Sequence, residues 1–261
     1  MRDREDITDD AILNGRLRLF QPKRGHRFGH DAILLAASVR AQPGDRVAEF
    51  GAGVGAASLA LLARVPGIHA TLFEIEESLC ALARENIARN HFTDRAQVFL
   101  RDVTAKLAEG SPSSETGTFH HVFMNPPFNA PALQASPDPA RRQAHAAGDD
   151  LLRNWVRRAW QMLDSSGVVT LIWRADGLES VLAALQPHFG GISVLPVYPA
   201  PDRPAIRIIV SGRKGDRSRI ALLPPLTLND RAQRPSDEAE QILRYGGAWP
   251  QEIHQADAGK L

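Results

Sequence analysis

The chain of 261 residues contains a single cysteine, Cys80. That excludes an intramolecular disulfide framework and suits a reducing compartment, the cytoplasm. Cys80 falls in a helical apolar pattern and reads as core. No stretch approaches the ~18 consecutive apolar residues of a membrane span. The charged opening MRDREDITDD lacks the apolar segment of a secretory signal. Neither sign of charge is in excess: 31 Lys and Arg against 30 Asp and Glu leave +1, so any nucleic-acid affinity has to come from local patches. The nine histidines show no metal-ligand spacing, His120–His121 included, and no metal is expected. There is no repeat at solenoid periods.

What is present is alternation. After a solvated stretch (1–10) and a run with five basic and no acidic residues (11–30), the apolar segment AILLAASV (32–39) precedes RVAEF (46–50), a buried strand. GAGVG leads into a helical Ala/Leu pattern. ATLFEI (70–75) reads as a strand, EESLCALARENIARN (76–90) as an amphipathic helix, AQVFLRDV (96–103) and HHVFMN (120–125) as strands. The segment 129–148 has little periodicity and reads as a long functional loop. A helix over 151–163 follows, in which Trp155 and Trp160 are expected to pack. Then come a strand (GVVTLIWR, 167–174), a short helix, and ISVLPVYP and AIRIIVSGRK, which lack a helix between them and pair as a hairpin. The expected fold is α/β: a doubly wound, mostly parallel seven-stranded sheet with an antiparallel C-terminal hairpin. The expected division is an N-terminal basic extension (1–30), a domain over 31–220 and a C-terminal tail (221–261) without a clear element.

EFGAGVGAAS (49–58) places Gly51, Gly53 and Gly55 between a strand and a helix, where a ligand can approach the backbone at a helix N-terminus. Gly-X-Gly-X-X-Ala also suits a dinucleotide enzyme. Three carboxylates lie at consecutive strand ends: Glu49 before the glycines, Glu74 about twenty residues on, placed to accept from ribose hydroxyls, and Asp102, within reach of an adenine amino group. Together they favour a nucleoside site. FMNPPFNAP (123–131) ends a buried strand in an amide, two prolines and a ring, although proline removes ladder donors.

With RFGHDAILLAA (27–37), VAEFGAGVGAASLAL (47–61), FEIEES (73–78), RDV (101–103) and NPPF (125–128), the sequence resembles the class I S-adenosylmethionine-dependent methyltransferases. Within them it is similar to bacterial tRNA (valine) adenine-N6 methyltransferases. It departs from their pattern at His30, where threonine is usual, and at Phe128, where tyrosine is common. The resemblance implies a Rossmann-like fold and S-adenosyl-L-methionine as cofactor. It implies that Glu49, Phe50 and the loop Gly51–Gly55 hold the methionine end, Glu74 and Ile75 the ribose side, and Asp102 and Val103 the adenine, with Asp31 near the donor pocket. Asn125, Pro126, Pro127 and Phe128 would be the catalytic set, Asn125 also facing the cofactor. Two carbonyl acceptors on a nucleobase amine would localise its lone pair toward the methyl group, the prolines would keep them aimed, and Phe128 would stack the base.

RNA, in the resemblance tRNA, is the expected partner. Lys23, Arg24, Arg27, Arg141 and Arg142 are the candidate phosphate contacts, with Arg213, Lys214, Arg217 and Arg219 as a further cluster. The alternatives keep the chemistry and change the acceptor (a ribosomal-RNA guanine N2 or a protein glutamine amide) or change the class, to a nicotinamide oxidoreductase or a non-catalytic module. Oligomeric state is not legible.

Overall fold

The computed structural model describes residues 6–25, 27–105, 118–127 and 139–249, without the side chains of 139–147. The parallel strands are β3 (Arg46–Phe50), β4 (His69–Glu74), β5 (Ala96–Leu100), β6 (Phe119–Met124) and β7 (Leu163–Arg174). β8 (Phe189–Tyr198) and β9 (Arg207–Lys214) form the C-terminal hairpin, with β9 antiparallel to both β7 and β8. Among the described residues two further two-residue strands, β10 (Ala221–Leu222) and β11 (Leu226–Thr227), run parallel beside β8. The sheet order is β10-β8-β9-β7-β6-β3-β4-β5 with β11 off β8. The expected seven strands are therefore all present, in a sheet extended by two short ones.

Helices cover both faces. On one lie α1 (His30–Ser38), α2 (Ala56–Arg64), α3 (Glu77–Arg89) and α6 (Asp237–Leu243). Leu34, Leu59, Leu62, Phe123, Ile172 and Ile209 form the core there. On the other, α4 (Pro139–Met162) and α5 (Leu178–Leu185) close over Phe50, Phe73, Met124, Val156, Leu171 and Val210. Buried on both faces, the central strands read as continuous apolar runs.

Three expectations are corrected. Residues 7–22 form a hairpin, β1 (Ile7–Ile12) with β2 (Leu17–Pro22), where a solvated stretch and a basic extension were read. Its outer positions carry charges that obscure the alternation: Asp9 takes Arg18 at 2.9 Å and Arg89 at 3.1 Å. Its inner residues Leu17 and Leu19 are buried. The helix expected over 151–163 begins at Pro139, because proline is tolerated in a first helical turn, where no N–H is required; part of 129–148 is therefore helix. The tail beyond 220 contains β10, β11 and α6, the last capped by Ser236, whose side chain accepts from Ala239 N. Ser followed by Asp237, Glu238 and Glu240 is an N-terminal helix signature.

The two ends of the described chain meet. Leu13, at the β1–β2 turn, is buried and packs where Gly246 has no side chain. Arg16 donates to the Tyr245 and Ala63 carbonyls, each at 3.0 Å.

Candidate active site

β3 and β6 are neighbours, with Phe50 opposite Met124, yet the chain winds outward from β3 through β4 to β5 before returning to β6. This reversal opens a crevice beyond the strand C-termini, where open α/β sheets take ligands. Gly51 and Asn125 are the next residues on the two strands. The geometry thus brings together the glycine loop and the Asn-Pro-Pro segment, 74 residues apart in sequence.

Gly51, Gly53 and Gly55 all have positive φ, +64°, +56° and +88°. Gly51 is required twice over: its backbone is left-handed, and a Cβ there would lie 2.6 Å from the Trp155 ring. Trp155, on α4, is buried and meets Phe50 edge-on with centroids 6.2 Å apart. It therefore braces the cofactor-side loop, a role that its helical spacing could not reveal.

The carboxylates are engaged with backbone. Glu74 accepts from Gly53 N at 2.7 Å through one oxygen and from Ile75 N and Glu76 N at 2.8 Å through the other, so it shapes the glycine loop from the next strand. Glu49 is buried and accepts both the N–H and the hydroxyl of Ser58 on one oxygen, which ties β3 to the first turn of α2. Burial pushes its carboxyl up to about 8 against the Ser58 hydrogen bonds, with the Glu74 charge adding to the rise. Ser58 was not singled out from sequence. Asp102 turns one oxygen onto the Thr104 N–H and hydroxyl. Val103 is buried beside it, while Ile75 is 67% exposed, an apolar side chain held out at a strand end.

Two further assigned residues are held by other parts of the protein. The Phe50 ring is buried and meets Phe73 and Trp155 edge-on. Asp31 accepts from Arg207 Nε at 2.9 Å, joining the start of α1 to β9.

Asn125 follows β6 with its side-chain oxygen buried and without a hydrogen-bond partner among the described residues. A buried carbonyl oxygen with unused lone pairs is costly unless a ligand engages it. Pro126 is buried and Pro127 exposed; Phe128 lies outside the described residues. The donor set fits a nucleoside cofactor: carboxylates at successive strand ends, a left-handed glycine loop at a helix N-terminus and an orphaned acceptor across the crevice.

Of the candidate phosphate contacts, Arg27 is committed to the hairpin, donating to Pro22 O at 2.7 Å and to Thr8 and Asp10 at 3.0 Å. Lys23 and Arg24 are exposed, without side-chain partners among the described residues. The side chains of Arg141 and Arg142 lie outside them. A cavity of about 710 Å³ lies at the opposite end of the sheet, lined by Asp45, His121, Thr170 and Ser211 among others. It contains none of the strand-end residues above and is separate from the crevice they line. Among the described residues no group of three or more His, Cys, Asp or Glu could hold a metal, and no helix is long and apolar enough to cross a membrane.

Comparison with known proteins agrees with this geometry. The family model for the methyltransferase small domain matches residues 27–196. The tRNA1(Val) (adenine(37)-N6)-methyltransferase of Parabacteroides distasonis is 26% identical over 193 residues, 74% of this chain and 78% of that protein. The release factor glutamine methyltransferase of Deinococcus radiodurans is 33% identical over 134 residues, 48% of this chain and 44% of that one. A predicted O-methyltransferase from Agrobacterium tumefaciens superposes with TM-score 0.71 at 27% identity, covering 85% of this chain and 100% of its own. With a matched region that takes in the glycine loop, the strand-end carboxylates and Asn-Pro-Pro, the chain belongs to the methyltransferase small-domain family.

Proposed function

We propose that the protein methylates the exocyclic N6 amine of an adenine in tRNA. S-adenosylmethionine, when bound, supplies a sulfonium methyl group as electrophile. Glu49 and the loop Gly51–Gly55 hold its methionine end. Glu74 and Ile75 take the ribose side, and Asp102 with Val103 the adenine.

The observation that carries the reading is the buried Asn125 oxygen one residue beyond β6, unpartnered among the described residues. An aryl amine is a poor nucleophile because its lone pair is delocalised into the ring. It offers two N–H donors, and the Asn125 side chain and Pro126 carbonyl are two acceptors. Hydrogen bonds to both favour a pyramidal nitrogen with its lone pair aimed at the methyl group. Pro127 restricts the backbone that aims them, so the acceptors need no reorganisation during the reaction. Phe128, next in sequence, supplies a stacking face, which requires the base to leave its own stack. No strong base is needed, since the methylated ammonium is acidic.

Adenine is favoured over a glutamine amide because the adenine-specific relative matches 74% of this chain and the glutamine-specific one 48%. The test is incubation with methyl-labelled cofactor and total tRNA, followed by digestion to nucleosides. Label is expected in N6-methyladenosine, and Asn125→Ala is expected to slow transfer by about 10²–10³, as for loss of one preorganised polar group. Label in 2-methylguanosine, or only in protein, overturns the adenine assignment.

A further inference from the structure

The outer face of α4 carries more cation and aromatic surface than packing requires. Arg153, Asn154, Arg157, Trp160 and Gln161 recur at helical spacing and are all exposed. Trp160 is 39% exposed, although its helical setting suggests a packing residue. Its ring lies 5.5 Å from that of His188 at 31°, and Lys214 Nζ sits 4.8 Å above it. Lys214 also donates to the Trp160 and Leu163 carbonyls at 2.7 Å, so its stem and charge fix the ring's orientation. Burial, with the Arg157 charge added, holds His188 below its ordinary range, leaving a neutral ring beside the indole.

The cations around this pair are weakly committed. Arg157 donates to Asn154 at 3.1 Å, and Arg153 meets Asp150, itself exposed, at 2.6 Å. An exposed pair of this kind is worth little and exchanges readily for another anion. Arg217 is exposed, without a side-chain partner among the described residues, and its backbone lies beside Gly190, two residues from His188. Thr118 N donates to Met162 O at 3.0 Å, which sets this end of α4 beside the start of β6. The Trp160–His188 end of the cluster therefore sits about 20 Å from Asn125, at ~3.3 Å per strand residue, and Arg157 and Arg153 lead from it along α4 toward Trp155 and the glycine loop at ~1.5 Å per residue.

We propose that Arg153, Arg157 and Arg217 around the Trp160–His188 pair form a second RNA contact, remote from the reacting base, that grips phosphates and a sugar or base face of a structured RNA. Two guanidiniums four residues apart on one helix face stand at the scale of neighbouring phosphates. A cation-flanked aromatic pair receives a nucleotide by stacking. This rests on the reading of the acceptor as RNA, and it selects a folded RNA long enough to span both places over an isolated stem–loop.

Arg153→Ala/Arg157→Ala and Trp160→Ala, with Trp160→Phe as the conservative variant, are compared with wild type. The probes are bulk bacterial tRNA and an anticodon-arm stem–loop. The double variant is expected to bind tRNA about tenfold more weakly at low salt. Its slope of log affinity against log salt should fall by about 1–2, near 0.9 per lost phosphate contact. Trp160→Phe retains most of the affinity that Trp160→Ala loses. Methylation of the stem–loop, cofactor affinity and the thermal midpoint stay at wild-type values. Unchanged tRNA affinity and salt slope overturn the proposal. So does a wild-type dimer that the variants dissociate without loss of RNA binding, which would make this a face between copies. If the variants lose tRNA binding but wild-type protein transfers no methyl group to tRNA, the surface stands and the assignment of the acceptor falls.

Discussion

Glu49 holds a carboxyl in an apolar wall with one serine for company, and that has a pH signature. Folded, it keeps its proton to about pH 8; unfolded, it loses it near 4.5. Stability that is fully present below about pH 4.5 is therefore lost as pH rises through 8. Glu49→Gln, which keeps the shape and removes the titration, is expected to melt above wild type by more at pH 8.5 than at pH 5. Each ~1 kcal/mol appears as roughly 2–4 °C in a chain of this size. Equal differences at both pH values in calorimetric melts would refute it. At this scale the glycines, Glu74 and Asp102 were legible because strand ends and φ-permissive residues announce themselves in one dimension. Ser58 and the Arg207 partner of Asp31 were not, since a hydrogen bond between elements leaves no spacing to read.

The glycine loop is shaped by pieces from three other elements: Glu74 from β4, Trp155 from α4 and Asn86 from α3. Gly51→Ala meets the Trp155 ring and forces an alanine to φ +64°, a conformation costing ~1–2 kcal/mol before any clash. Cofactor affinity is expected to fall at least tenfold by titration calorimetry, and Trp155→Leu in the same chain to restore only part of it, because the dihedral cost remains. Full rescue would show that the steric contact alone mattered. Among elements, the parallel strands and the C-terminal hairpin were readable from their apolar runs. The N-terminal hairpin was hidden by ion-paired charges on its outer face, and the start of α4 by an alanine- and arginine-rich sequence without an apolar stripe.

Across the whole molecule, the N-terminal hairpin is a buttress for the crevice. Asn86, fully buried on α3, accepts from Phe20 N at 2.7 Å and donates to Phe20 O at 2.9 Å and to Val54 O at 3.0 Å, so one side chain joins β2 to the glycine loop. Asn86→Ala leaves those groups without their partner and is expected to cost about 3 kcal/mol, read as a lowered urea midpoint with an unchanged slope, together with weaker cofactor binding. An unchanged midpoint would show the buttress to be dispensable. The doubly wound order and its crevice followed from alternating elements, but what closes the sheet's flanks did not. The contact between the ends also bears on how the chain is made. Arg16 leaves the ribosome 229 residues before its partner Tyr245, more than ten seconds at 5–20 residues per second. Until then Leu13 lacks its contact with Gly246, although Asn86 and Arg89 have already tied the hairpin to α3, so the hairpin is docked early and its turn is sealed late.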